Sequence, residues 1–399
     1  MDQARAADHA PGLDEARATG RARTTDEGRA TGGARATGVA PRAPEVAFAS
    51  DNYAGAHPEV LSAIAEANAG AARSYGADPW TARLEQVVRS HFGTEAEVFP
   101  VFNGTGANVV ALQAMLPKWG AVVCAEGAHI ATDEGAAPEA LAGIKLLTVA
   151  TPDGKLTPEL VDRQAWGFGD EHRAQPAVVS VTQSSEVGTL YHPEELARLA
   201  GHAHALGMRV HLDGARLANA AASLGCSLAE ATSALGVDVI SLGGTKNGAL
   251  FAEAVVAVDP AAAPGVRYLR KRDAQLASKM RFLSAQLLAL YEGDLWYRSA
   301  RHANEMASRL AAGLTGLPGV SLAHPVEANG VFAVVPAALS GAVREEYHFY
   351  DWDREHEVVR LMCAWDTTED AVDALVGSFR RAALGRPRDH RAVRTARTR

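Results

Sequence analysis

Two side chains with complementary chemistry follow two neighbouring apolar segments of the sequence. Asp213 stands in HLDGAR (211–216) and Lys246 in SLGGTKNG (241–248), each directly after a short run rich in Val, Ile and Leu. A lysine in a partly buried pocket has a lowered pKa and can form a Schiff base with an aldehyde. A carboxylate at the end of a buried strand can pair with a protonated ring nitrogen. The two groups together indicate a site for a nitrogen heterocycle that carries an aldehyde.

Pyridoxal 5′-phosphate (PLP) needs both groups, because its aldehyde reacts with a lysine and its pyridinium pairs with an acid. Taken alone, Lys246 could equally be a surface lysine in a turn, and Asp213 could equally cap a helix. Their occurrence at successive strand ends favours the cofactor site. Gly243, Gly244 and Gly248 flank the lysine and would let the backbone approach a ligand closely.

Two further segments could complete such a site. FNGTGANVVALQAM (102–115) places a turn rich in Gly, Thr and Asn before a helical pattern. The first N–H groups of a helix bind phosphate, so Gly104 and Thr105 are candidates to hold the cofactor phosphate; the alternative is a plain capped helix. In AEGAHI (125–130), His129 could stack on the ring and accept a proton, since imidazole titrates near neutrality. A lone histidine is more often structural.

Alternating strands and helices must position these residues. Short apolar runs predict buried strands at 122–126, 146–151, 177–183, 209–214, 238–244 and 254–259. Helical patterns lie between them, at 192–207, 217–225 and 227–236. This alternation indicates an α/β fold with a parallel or mostly parallel sheet that is covered on both faces.

The pattern changes after Pro264. A long helical region follows at about 266–316, broken around Gly293, and then come strand-like pieces at 320–325, 330–336 and 358–365 and a closing helix at 368–383. Strands followed by a terminal helix suggest a smaller α+β domain. We therefore divide the chain into a disordered N-terminal extension (1–44), a large α/β domain with an N-terminal segment (45–265), a long helix with a small C-terminal domain (266–383) and a basic disordered tail (384–399).

Charge and cysteine content restrict the partners. The net charge is −8, but residues 380–399 hold eight Arg and one acid, and residues 1–44 hold seven Arg and six acids, which leaves −16 on residues 45–379. So acidic a body disfavours nucleic acid. The three cysteines have no metal-ligand spacing and indicate a reducing compartment. Neither a membrane-spanning apolar run nor a secretory signal is found, so we expect a cytoplasmic protein without a membrane partner.

The order of the motifs SDN, YGADPWT, NGTGAN, EGAHI, HLDGAR, GGTKNG and VRLM resembles the low-specificity L-threonine aldolase family. That family is part of the threonine aldolase and aromatic amino acid β-eliminating lyase group, and the resemblance covers about residues 47–380. It implies the aspartate-aminotransferase-like fold (PLP fold type I), with a mostly parallel seven-stranded sheet. It also implies PLP and a homo-oligomer, a homodimer or homotetramer, whose active sites lie at subunit interfaces.

The resemblance also implies a role for particular residues. For the cofactor, it assigns Lys246 to the covalent link with PLP, Asp213 to the pyridine nitrogen, Gly104 and Thr105 to the phosphate, and Arg281 to the phosphate of a neighbouring subunit. His129 is assigned to the ring face and to the role of base, direct or through water. For the substrate, Ser50, Arg216 and Arg360 are assigned to the carboxylate, with Arg216 also beside the cofactor, and Tyr75 is assigned to the pocket. No metal is implied.

The implied reaction is retro-aldol cleavage of L-threonine, L-allo-threonine and other β-hydroxy-α-amino acids to glycine and an aldehyde. The sequence departs from the family at TQSSEVGT (182–189), where a Glu-Asn-Thr-His-Asn-type stretch is usual and a histidine expected at the substrate hydroxyl is missing. This departure bears on the side-chain and threo/erythro preference. A β-eliminating lyase, a glycine-transferring transaldolase on the same scaffold, and a non-catalytic PLP-dependent regulator remain alternatives.

Overall fold

The structure, a computed structural model, describes residues 47–385. The extension predicted at 1–44 and the tail beyond 385 lie outside the described residues. Within them are eleven strands: β1 (Glu97–Val101), β2 (Gly120–Ala125), β3 (Lys145–Val149), β4 (Gln175–Thr182), β5 (Arg209–Gly214), β6 (Val239–Leu242), β7 (Glu253–Ala257), β8 (Ser321–Leu322), β9 (Gly330–Val334), β10 (Tyr350–Asp353) and β11 (Val358–Met362).

The helices between them follow the predicted alternation. The α-helices of the described residues are α1 (Pro58–Ala67), α2 (Pro79–Phe92), α3 (Gly104–Met115), α4 (His129–Thr132), α5 (Ala137–Ala142), α6 (Pro158–Val161), α7 (Pro193–Ala205), α8 (Leu217–Leu224), α9 (Val266–Arg272), α10 (Arg281–Tyr291), α11 (Leu295–Leu314), α12 (Ala337–Arg344) and α13 (Glu369–Ala383). None of these helices is both long and apolar enough to cross a bilayer.

Seven strands form one sheet in the order β1-β7-β6-β5-β4-β2-β3. The five strands from β6 to β3 pair in parallel, whereas β7 is antiparallel to both β6 and β1. Alternate residues of the strands are buried in two apolar clusters, one with α7, α8 and α10 and the other with α3 and α9. The sheet is therefore mostly parallel and covered on both faces, as predicted.

A second sheet, in the order β10-β11-β9-β8, is antiparallel and packs against α11 and α13. The N-terminal segment of the described chain ties this small domain together. Phe48 is fully buried in the cluster of the small domain. Its N–H donates to the carbonyl of His348 (3.2 Å) and its carbonyl accepts from the N–H of Met362 (2.8 Å).

Two predicted helices differ from the observed elements. Residues 227–236 form turns and one 3-10 turn, Ser233–Leu235, rather than an α-helix. The buried Thr232 hydroxyl donates to the Leu228 carbonyl (2.6 Å), and a side chain bonded back to the backbone competes with regular helix. The long helical region has a second interruption, at 273–280, besides the predicted one near Gly293.

A buried imidazole joins the three strands at the centre of the large sheet. His211 on β5 is fully buried, with Ser180 Oγ of β4 2.9 Å from its Nδ1 and Ser241 Oγ of β6 3.0 Å from its Nε2. Burial lowers the pKa of His211 to about 4. The ring is therefore neutral at neutral pH, and each of its nitrogens has a hydroxyl partner.

Acid is expected to destabilise the fold through His211. Its pKa is 6.5 when unperturbed and about 4 in the folded chain, so between these pH values the unfolded chain binds a proton that the folded chain does not. The free energy of unfolding should fall by on the order of 3 kcal/mol across this range. Chemical denaturation at several pH values measures it. His211→Asn cannot titrate and should show a flatter pH dependence; equal slopes in both proteins would contradict the expectation.

Candidate active site

The carboxyl end of β5 carries a buried acid. Asp213 is 6% exposed. Its Oδ2 accepts a hydrogen bond from Asn108 Nδ2 (2.9 Å), and its Oδ1 accepts from the N–H of Ala215 (3.0 Å). Both donors are neutral groups, so they fix the orientation of the carboxylate and leave its negative charge available to a cation.

The chain between β6 and β7 makes a 3-10 turn, Thr245–Asn247, that carries the lysine. The two glycines before the turn are required by close packing. A Cβ on Gly243 would lie 2.5 Å from the Ala215 carbonyl oxygen, and one on Gly244 would lie 2.4 Å from the Ala252 carbonyl oxygen. Backbone at this distance cannot move aside cheaply, so glycine is needed for the turn to hold Lys246 against β5.

The charge of Lys246 is destabilised by its surroundings. The side chain is partly buried, and burial lowers its pKa; the nearby guanidinium of Arg216 lowers it further, while Asp51 and Asp213 act in the opposite direction. A lysine with a lowered pKa has a larger fraction of free amine, which is the form that attacks an aldehyde.

A chain of hydrogen bonds connects Asp213 to His129. Asn108 Nδ2, which contacts Asp213, also donates to Glu134 Oε1 (2.8 Å), and that same oxygen lies 2.9 Å from His129 Nδ1. The hydrogen bond with Glu134 raises the pKa of His129. With Nδ1 engaged by a carboxylate, Nδ1 carries a proton and Nε2 is the nitrogen left to interact with a ligand.

Arg216 follows β5 and is held by a carboxylate from the N-terminal segment. Its Nε and Nη2 donate to Asp51 Oδ2 (2.7 Å) and Oδ1 (2.9 Å), a bidentate pair. Asn329 of the small domain also donates to Asp51 Oδ2 (3.0 Å). Burial acts to raise the pKa of Asp51, but the Arg216 charge and hydrogen bond outweigh it and lower the pKa to about 2. Asp51 therefore stays ionised and keeps Arg216 charged.

Arg216 lines a small cavity, and a second guanidinium reaches this cavity from the small domain. Arg360 on β11 lines this cavity together with Arg216. Its Nη2 donates to the Ala49 carbonyl (3.2 Å), and its guanidinium lies over the rings of Tyr350 (5.3 Å) and Trp352 (5.2 Å). Its Nε is buried and has no hydrogen-bond partner among residues 47–385. Buried donors are normally bonded, so this N–H is available to a water molecule or to a ligand in the cavity.

The N-terminus of α3 has the features predicted for a phosphate site. Gly104 and Thr105 are the first two residues of α3, and Asn103 Oδ1 caps it by accepting the N–H of Gly106 (2.7 Å). Gln275 lies beside this turn, and its side chain lines a surface hollow with Thr105 and Gly106. The helix N-terminus and its half-buried first residues, Gly104 and Thr105, can accept an anion.

Of the predicted site residues, only Arg216 and Arg360 line this cavity; Lys246, Asp213, His129, Gly104 and Thr105 lie outside its lining, and so do Ser50, Tyr75 and Arg281. Ser50 caps the 3-10 turn Asp51–Tyr53 through its side chain, so it adjoins Asp51 without lining the cavity. Tyr75 is 52% exposed and has a left-handed φ of 58°. Arg281 Nη1 donates to the Gly70 carbonyl (3.0 Å). The single chain does not bring Tyr75 or Arg281 to the lysine, and their assignment to the pocket stays a prediction.

Residues 47–338 match the protein-family model described as "Beta-eliminating lyase". The chain belongs to the beta-eliminating lyase family. Its match spans the segments of Lys246, Asp213, His129 and Arg216, whereas Arg360 lies beyond it.

Two curated relatives of the chain carry the same name. It is 46% identical over 335 residues to a low specificity L-threonine aldolase of Pseudomonas aeruginosa, covering 84% of this chain and 96% of that one. It is 44% identical, with the same coverage, to the enzyme of that name from a Pseudomonas species. The solved structure of Leishmania major threonine aldolase has a TM-score of 0.80 and 29% identity and covers 84% of this chain and 99% of its own. The predicted family, the lyase class and the fold are confirmed.

Proposed function

We propose that this chain catalyses PLP-dependent retro-aldol cleavage of L-threonine, L-allo-threonine and other β-hydroxy-α-amino acids to glycine and an aldehyde. The observation that carries the proposal is the arrangement of Lys246 and Asp213 at adjacent strand ends. One is a partly buried amine with a lowered pKa, and the other is a buried carboxylate held by neutral donors. Family membership and the two Pseudomonas aldolases support the reaction type.

These residues fit PLP. The amine of Lys246 would bind its aldehyde carbon, Asp213 its pyridine nitrogen, and the first turn of α3, with Gly104 and Thr105, its phosphate. His129 would lie against the ring. When bound, PLP supplies an electron sink that accepts the electron pair left when a bond to the substrate Cα breaks.

The two arginines would select and orient the substrate. Arg216 and Arg360 line one cavity from two domains, and a guanidinium holds a carboxylate in a bidentate geometry. A fixed α-carboxylate fixes the rotation about the bonds of Cα, which determines which of them is positioned to break. Asp51 would keep Arg216 in place during this step.

Arg360→Lys is expected to weaken substrate binding more than turnover. Lysine keeps the positive charge but loses the planar fork and the buried Nε donor. We expect KM for L-threonine to rise by about ten- to a hundredfold, with kcat changed much less. Steady-state kinetics measure the two constants separately. Arg354→Lys, at an exposed position of the same domain, is the matched control and should leave both constants unchanged.

Tyr75 and Arg281 would act in a homo-oligomer, by lying at the cavity of a neighbouring subunit. The support is their exposure, or surface contact, away from the cavity of their own chain. Light scattering would determine whether the protein is a dimer or a tetramer.

A cytoplasmic location is proposed from the free thiols of Cys124, Cys226 and Cys363.

Product analysis tests the proposed reaction. The purified full chain is given PLP and L-threonine, and glycine, acetaldehyde, 2-oxo acid and ammonia are measured. Glycine and acetaldehyde in equal amounts are expected. A 2-oxo acid with ammonia would instead identify a β-eliminating lyase. Acetaldehyde release that requires an added acceptor aldehyde, with a new β-hydroxy-α-amino acid in place of glycine, would identify a transaldolase. Absorbance of bound PLP without turnover of any β-hydroxy-α-amino acid would indicate a non-catalytic protein.

A further inference from the structure

The cavity of Arg216 and Arg360 contains one carboxyl group to which no role has yet been assigned. Glu186 lies in the loop between β4 and α7, is partly buried, and lines the cavity together with Arg216 and Arg360. Its Oε1 accepts two hydrogen bonds, from the N–H of His129 (2.9 Å) and from the hydroxyl of Thr182 (2.7 Å). These two donors fix one oxygen of the carboxyl group, so the other is the oxygen left to meet a ligand.

The surroundings of Glu186 make it a suitable proton acceptor. Burial raises the pKa of its carboxyl group, and Asp213 raises it further, while the hydrogen bonds from Thr182 and His129 act to lower it. The positive groups at the cavity are Arg216 and Arg360. A carboxylate with a raised pKa is a stronger base than an exposed one, and proton transfer is most efficient when the pKa approaches the working pH.

His129 is the other candidate for the base, and its contacts disfavour it. The hydrogen bond to Glu134 raises the pKa of the imidazole. Its Nδ1 is engaged by Glu134 Oε1 (2.9 Å), and His129 is not among the residues that line the cavity of Arg216 and Arg360, whereas Glu186 is. Glu186 accepts a hydrogen bond from the backbone N–H of His129, so the two residues are neighbours in the fold.

We propose that Glu186 is the catalytic base that binds the β-hydroxyl group of the substrate and takes its proton. The inference rests on the retro-aldol function proposed above and moves the base from His129 to Glu186. The O–H bond breaks and its proton goes to the Glu186 carboxylate. The oxygen then forms the C=O bond of the aldehyde as the Cα–Cβ bond breaks. The electron pair of that bond remains on the Cα side. A proton from water adds at Cα to give glycine, and the proton on Glu186 is released to water, so atoms and charge balance.

Glu186→Gln tests the inference with little change of shape. The amide oxygen can still accept from His129 and Thr182, but the group no longer titrates. We expect kcat for L-threonine and L-allo-threonine to fall by about a hundredfold or more. The limb of the wild-type pH profile in which activity rises as Glu186 ionises should be absent. Affinity for glycine, which has no β-hydroxyl group, and the absorbance of bound PLP should be unchanged.

A readout without cofactor or turnover accompanies the kinetics. An acid whose folded pKa is raised contributes stability that is lost as pH rises through that pKa, so ionised Glu186 destabilises the fold at neutral pH. The Tm of Glu186→Gln without PLP should therefore exceed the wild-type Tm at neutral pH, and the difference should shrink as pH falls. Glu346→Gln, which loses only its contact with Arg381 in the small domain, is the control for both readouts.

The outcomes separate the two proposals. If wild type forms glycine and acetaldehyde and Glu186→Gln retains kcat within about threefold, the inference is wrong and the proposed function stands. A variant that loses glycine affinity together with turnover would show a general structural role and would also overturn it. A wild type that releases no aldehyde would overturn the proposed function and the inference with it.

Discussion

Lys246→Ala is expected to lower kcat for L-threonine by about a thousandfold or more, because removal of a residue that forms a covalent link in catalysis has effects of at least this order. The visible absorbance of the covalently bound cofactor should disappear as well. Acetaldehyde release and an absorbance spectrum, recorded on the same sample after addition of PLP, measure both effects.

The control for this variant is a lysine near the amino ends of the strands, opposite the carboxyl ends where the site lies. Lys118 is exposed and precedes the amino end of β2, so Lys118→Ala should keep both the absorbance and the activity of wild type. A Lys246→Ala protein with the full visible absorbance of wild type would contradict the assignment of this lysine and, with it, the central argument for the site.

Asp213→Asn should reduce kcat by about a hundred- to a thousandfold, the usual effect of removing one preorganised electrostatic group from a buried site. The amide has nearly the same shape as the carboxylate but carries no negative charge to stabilise a protonated ring nitrogen. The affinity for PLP should fall too, which a titration of the protein without cofactor would measure.

A buried carboxylate at the other end of the same sheet provides the comparison for Asp213. Asp238 precedes β6, is 6% exposed, and pairs with His204 (2.9 Å) and Arg209 (3.3 Å). Asp238→Asn should lower the Tm and leave kcat unchanged. If the two variants lost activity equally, Asp213 would have no role beyond the stability of the fold.

Local sequence patterns predicted the two strands that carry Asp213 and precede Lys246, but not β1, which leads into α3. β5 and β6 are buried on both faces, so they appear in the sequence as continuous apolar runs. The pattern at 227–236 led to an incorrect helix, because Leu228 and Ala231 are buried at helical spacing although the backbone forms turns. Apolar spacing reports which residues are buried, and it reports backbone conformation only indirectly.

The residues that hold the site residues in place could not be predicted. Asp51 and Arg216 are 165 residues apart in the chain, and no local pattern connects them. Asn108 and Glu134 make their contacts through side chains that a sequence alone leaves without direction. For Glu186, the only signal in the sequence was the presence of an acid in the atypical segment TQSSEVGT. Its position at the cavity follows from the path of the loop after β4.

Asp51 has a consequence for the mechanics of the protein. Its carboxylate is bonded at once to Arg216 of the large domain and to Asn329 of the small domain, and Arg216 and Arg360 meet at one cavity from these two sides. An amino acid that bridges both guanidinium groups therefore cross-links the two domains. By thermodynamic linkage, binding of such a ligand and the contacts between the two domains stabilise each other. Substitutions that weaken the contacts between the two domains, at positions far from the cavity, are therefore expected to lower the affinity for substrate without removing any group that touches it.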